Sequence, residues 1–99
     1  MKSEGSHGPC RTVVREILRY LVEHTDAKDT VDGIFKFWLP KGAVKQGRKE
    51  VQKALDFLVT KKGWLTEKNV PSSDKLYGLN KDYLGEIKVF LRMISARGS

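Results

Sequence analysis

"GWLTEKNVPSSDKLYGLN", residues 63–80, holds two short apolar runs on either side of a polar centre. Trp64-Leu65 leads in, and Leu76-Tyr77-Gly78-Leu79 leads out. Between them, Pro71-Ser72-Ser73-Asp74 carries turn chemistry, because proline presets its own φ and Ser and Asp side chains bond nearby main chain. The stretch reads as a β-hairpin with a charged tip, its loop running from about Glu67 to Lys75.

The residues just upstream form the clearest helix. Val51, Ala54, Leu55, Leu58 and Val59 recur at the spacing that gathers side chains on one helical face. Gly47 stands where an N-cap belongs, and Gly63 falls just past the end, where a left-handed conformation costs glycine least. At about 100° per residue, the direction opposite the apolar face is held by Lys49, Lys53, Asp56 and Thr60. Phe57 lies off the stripe.

"DTVDGIFKFWLP", residues 29–40, fits two patterns. Val31, Gly33, Phe35, Phe37 and Leu39 alternate as in a strand, while Val31, Ile34, Phe35, Trp38 and Leu39 follow a helical period. A helix is expected, because Asp29 or Thr30 can cap it and Pro40 can stop it. Further upstream, Val14, Ile17, Leu18 and Leu21 make one stripe of an amphipathic helix over residues 11–24. After the hairpin, Asn80 is placed to cap a last helix of about residues 81–96. Its stripe of Tyr83, Leu84, Ile87, Phe90, Leu91 and Ile94 is widened by Val89 and Met93. Residues 1–9 have no period and are expected to be a disordered tail, leaving 10–99 as one domain.

Composition narrows the classes. A chain of 99 residues with 39% hydrophobic content suits one globular core. No apolar run approaches the roughly 20 residues that span a bilayer, and "MKSEGSHGPC" lacks the apolar centre of a signal peptide. The single cysteine, Cys10, forms no internal disulfide and suits a reducing compartment, so a cytoplasmic protein is expected. Cys10 and His24 lack the further ligands a metal needs, and His7 lies in the tail. No nucleophile has a visible base beside it, so neither catalytic residues nor a cofactor is expected. Trp38 and Trp64 sit on apolar stripes, which favours core packing over stacking on bases.

The net charge of +7 is unevenly spread. Residues 1–40 carry six Lys or Arg against six Asp or Glu, whereas residues 41–75 carry nine against four. That basic segment ends in the hairpin. It favours a polyanionic partner through long-range attraction and counterion release, or serves as a solubilising surface.

Three helices followed by a hairpin with a long tip resemble the winged helix-turn-helix family. The resemblance rests on "TVDGIFKFWL", "RKEVQKALDFLVTKKGWL" and "LYGLN", and covers residues from about 11 to 80. It implies a mainly α protein with a small β-hairpin, an α+β fold of three-helix core, wing and C-terminal fourth helix. It also implies a DNA-binding protein, a small transcriptional regulator, with the third helix in the major groove and the wing on the backbone. Such a protein would be nucleoid-associated in a bacterium and nuclear in a eukaryote. Carried over by position, the reading helix would offer Gln46, Arg48, Lys49, Gln52 and Lys53. Arg can bond guanine and Gln adenine in a bidentate way, while lysines meet phosphates. The wing would offer Lys68, Asn69, Ser72, Ser73 and Lys75. One departure is the connection from Leu39 to Gly47, longer than a three- or four-residue turn, in which Val44 is expected to tuck into the core.

A second reading belongs to another class. The broad apolar surface of the last helix, with Val89, Phe90 and Met93, suits a homodimer or a protein–protein interaction module. A dimer would set two reading helices on successive major-groove faces. RNA binding is a third reading.

Overall fold

Helix α1, Arg11–Glu23, is the strut on which the other helices rest. It buries Val13, Val14, Ile17, Leu18 and Leu21, the expected stripe plus Val13. The computed structural model describes residues 11–39, 47–71 and 73–98. The expectations for the tail, Pro40, Val44, Gln46 and Ser72 lie outside those residues.

Strand β1, Lys28–Asp29, follows α1 and leads into α2, which opens at Val31–Gly33 and continues as a wide π turn over Ile34–Trp38. The helical reading of this stretch holds, and its cap is Thr30. The Thr30 hydroxyl accepts from the Gly33 N–H at 3.2 Å, and the Asp29 carboxylate accepts from the Thr30 N–H at 2.8 Å. Asp29 packs so close that a Cβ on Gly33 would lie 2.0 Å from its Oδ1, so a larger residue there requires the Asp29 carboxylate to move. Leu39 turns to an extended conformation, as a residue before proline prefers. Ile34, Trp38 and Leu39 are buried, with Trp38 stacked on Tyr20 at 4.7 Å, whereas Phe37 is 74% exposed.

Helix α3 runs over Arg48–Phe57 and widens to a π turn at Leu58–Lys62. Val51, Ala54, Leu55 and Leu58 are buried, and Phe57 and Val59 pack half-buried against the same core. Gly63 ends it at φ 68°, and the N–H groups of Gly63 and Trp64 both donate to the Leu58 carbonyl.

Strands β2, Leu65–Val70, and β3, Ser73–Leu79, form the hairpin. Two expectations are corrected here. The loop does not run from Glu67 to Lys75, because the strands extend to Val70 and resume at Ser73. Glu67, Lys68 and Asn69 look like loop by composition, yet the outer part of β2, exposed on both faces, places no demand for apolar alternation on its residues. The hairpin is also not alone: β1 pairs with β3 in register Lys28↔Gly78 and Asp29↔Tyr77, making a three-stranded antiparallel sheet of order β1-β3-β2. A two-residue strand is too short to leave a period in the sequence.

In the hairpin, Leu65 faces Leu79, Glu67 faces Tyr77 and Lys68 faces Leu76, with an irregularity between Lys68 and Val70. Opposed residues share a face, so the buried side chains of Leu65, Tyr77 and Leu79 root one face of the hairpin in the core. Asn80 then laces the base: its N–H donates to the Trp64 carbonyl at 2.8 Å and its Nδ2 to the Gly63 carbonyl at 2.9 Å. Its Oδ1 also accepts from the Asp82 N–H, which caps the short turn Lys81–Tyr83 and helix α4, Leu84–Gly98. On α4, Ile87 is fully buried and Phe90 packs edge-on against Trp64 with ring centroids 5.3 Å apart.

The described residues thus give four helices and a small three-stranded antiparallel sheet, a mainly helical α+β fold. Among them, no helix is long and apolar enough to cross a membrane.

Candidate functional site

The amphipathic pattern of α3 dictates what it offers to solvent. With Val51, Ala54, Leu55 and Leu58 turned to the core, Arg48, Lys49, Lys53 and Asp56 are left exposed and Gln52 half-exposed. The hairpin rises beside this face. Because Glu67 opposes Tyr77 and Lys75 is two residues from Tyr77, these three side chains lie on the hairpin face that contains the buried Leu65 and Leu79.

The result is a groove of about 610 Å³ between α3, the start of α2 and β3, lined by Val31, Arg48, Lys49, Gln52, Asp56, Lys75 and Tyr77. Four residues singled out in the sequence, Arg48, Lys49, Gln52 and Lys75, are brought together in it. Lys53, Lys68 and Asn69 are exposed but do not line it. Ser73 begins β3, while its side chain, with Gln46 and Ser72, lies outside the described residues.

The cations differ in how they are held. Arg48 reaches back to Asp32 of α2 at 3.1 Å, and the same carboxylate takes Lys36 at 3.1 Å. Lys53 pairs with Glu50 at 3.7 Å and Lys75 with Glu67 at 3.5 Å. Lys49 and Lys68 have no ion-pair partner among the described residues. The Arg48 and Lys75 side chains are 62% and 50% exposed, and pairs this wet are worth about 0–1 kcal/mol each. An incoming anion with several oxygens can therefore displace the acidic partners at little cost.

Gln52 is the polar junction of the groove. Its Nε2 donates to the Asp56 carboxylate at 3.0 Å and to the Tyr77 hydroxyl at 3.2 Å. Tyr77 is 2% exposed, so β3 fixes that hydroxyl against α3. Sequence reasoning missed Tyr77, Asp32 and the role of Asp56. The Gln52–Asp56 bond was readable from its four-residue helical spacing. The Gln52–Tyr77 bond spans 25 residues and leaves no local signal.

On the opposite account, the last helix exposes Val89 and Met93 at 51% and 58%, while Phe90 is half-buried against Trp64. Among the described residues, no three His, Cys, Asp or Glu side chains cluster to hold a metal. No protein-family model matches this chain, and no curated protein or solved structure matches it significantly.

Proposed function

We propose that this protein is a winged-helix DNA-binding protein, a small transcriptional regulator, in which α3 enters the major groove and the hairpin grips the flanking backbone. The observation that carries the reading is the convergence of Arg48 and Lys49 from α3 with Lys75 from β3 on one open groove. Residues 27 positions apart in the chain, Arg48 and Lys75, share it although charge patterning alone does not require them to meet. The order of three helices and a hairpin supports the winged-helix assignment, and the excess of cations over residues 41–75 supports a polyanionic partner. Lys49, Lys68 and Lys75 meet phosphates and set register, while Arg48 and Gln52 face base edges.

The test is binding of labelled random-sequence duplex at two salt concentrations, comparing the natural protein with Lys49→Glu/Lys75→Glu. The reading expects a dissociation constant of about 1–100 µM that rises steeply with salt, and a log–log salt slope reduced by about two units in the double variant. A folded protein that fails to bind duplex at low salt contradicts it.

The second reading, a protein-interaction module or homodimer working through α4, is favoured by the exposure of Val89 and Met93. It expects partner binding that is indifferent to Lys49→Glu and lost in Val89→Ser/Met93→Ser.

A further inference from the structure

Gln52 has one amide group, and its two kinds of atom have different work available to them. The –NH2 nitrogen carries two hydrogens, and the geometry uses both: one for the Asp56 carboxylate at 3.0 Å and one for the Tyr77 hydroxyl at 3.2 Å. A flipped amide would set its carbonyl oxygen against the acceptor-only carboxylate of Asp56, so the acidic neighbour dictates the orientation. The oxygen Oε1 is then the atom turned away from both partners, on a residue that lines the open groove.

We infer that Asp56 and Tyr77 lock the Gln52 amide so that it reads DNA as a hydrogen-bond acceptor only, selecting an adenine or cytosine on the strand it faces. The inference rests on the DNA-binding reading above. In the major groove, adenine N6 and cytosine N4 are donors, whereas guanine N7 and O6 and thymine O4 are acceptors that would oppose Oε1. The bidentate adenine contact expected from a free glutamine needs an N–H for adenine N7, and no such hydrogen is left here. One neutral hydrogen bond then gives a preference of about two- to tenfold, smaller than a bidentate pair would give. Asp56 acquires a purpose through this lock. A carboxylate on a face offered to phosphates weakens attachment, yet here it orients the side chain beside it. Asp56 and Tyr77 are positioning residues, and Gln52 is the residue that touches the base.

The experiment is selection of bound duplexes from a random library by the natural protein, Gln52→Ala and Asp56→Asn. The position read by Gln52 is the one whose preference disappears in Gln52→Ala. The inference expects adenine or cytosine there for the natural protein, and expects guanine to be admitted in Asp56→Asn, where the asparagine –NH2 can donate to Gln52 Oε1 and so lets the amide turn over. Overall affinity rises in Asp56→Asn simply because a negative charge is gone, so base preference is the deciding readout. Guanine or thymine in the natural selection, a preference unchanged in Asp56→Asn, or no position dependent on Gln52 overturns the inference while leaving DNA binding intact. Failure of the natural protein to enrich any duplex overturns the DNA-binding reading, and the inference with it. Exchange of the Gln52 side-chain amide protons gives an independent check: slow in the natural protein, faster in Asp56→Asn, with equal rates contradicting the lock.

Discussion

Helices α3 and α4 both pack on α1, and each anchors itself with a fully buried side chain, Leu55 and Ile87. They turn different chemistries to solvent. On α3 the outward residues are charged or amide, and two of them are tied to other elements: Arg48 to Asp32 of α2 and Gln52 to Tyr77 of β3. On α4 the outward residues include Val89 and Met93, exposed and apolar. The bond to the buried Tyr77 holds the Gln52 side chain in a set geometry, which is what a surface that positions a ligand requires. An apolar patch without such ties offers area but no orientation. The difference favours α3 as the site of specific contact and leaves α4 as the candidate for looser, hydrophobic association.

The largest effects should come from removing the shared footing. Leu55→Ala should lower unfolding free energy by about 2–5 kcal/mol in urea titration, and Ile87→Ala should lie in the same range. A loss below 1 kcal/mol at either site, on the scale of these core truncations, would mean that helix is not anchored as described. Next comes the entry to α2, which sets Asp32 beside Arg48. Gly33→Ala places a Cβ within 2.0 Å of Asp29 Oδ1 and should cost about 1–3 kcal/mol. A neutral outcome would show that the Asp29 carboxylate swings aside easily. Val89→Ser/Met93→Ser sharpens the comparison from the other side: both are exposed, so stability should change by about 0.5 kcal/mol or less and duplex binding should be unaltered.

The smallest effect concerns the joint between the α1–β1 turn and the start of α4. A hydrogen bond from Lys81, and then its charge, hold the Asp26 carboxyl below the ordinary aspartate value, with Lys28 adding in the same direction. A carboxyl depressed in the folded state stabilises above its unfolded pKa of 3.8, and that contribution disappears as pH falls through the lower folded value. Carboxyl NMR titration should therefore give an Asp26 midpoint below 3.8 that climbs back in Lys81→Ala. An unchanged midpoint would remove Lys81 as the cause.

Much of this architecture was legible in the sequence, because long helices repeat their pattern many times. The stripes of α1 and α3, the Asn80 cap and the left-handed Gly63 follow from spacing and residue type, while the choice of Thr30 over Asp29 as the α2 cap came from the structure. Strand β1 was not legible, since two residues carry no period. The hairpin strands were read too short, because Glu67, Lys68 and Asn69 resemble loop where the outer part of β2 is exposed on both faces. For the candidate site, Lys49 and Lys53 could be named from helical phase, whereas Arg48, Gln52, Lys68 and Lys75 were named through the winged-helix resemblance. Their ion pairs across elements and the Gln52–Tyr77 bond depend on how α2, α3 and β3 come together, which no local pattern encodes.

The most direct test of the contrast between the two helices is an NMR titration of the labelled protein with a short duplex at low salt. The account predicts shift changes centred on Arg48, Lys49, Gln52, Lys68 and Lys75, with Val89 and Met93 unmoved. Changes centred on α4, or a spectrum indifferent to duplex, would contradict it.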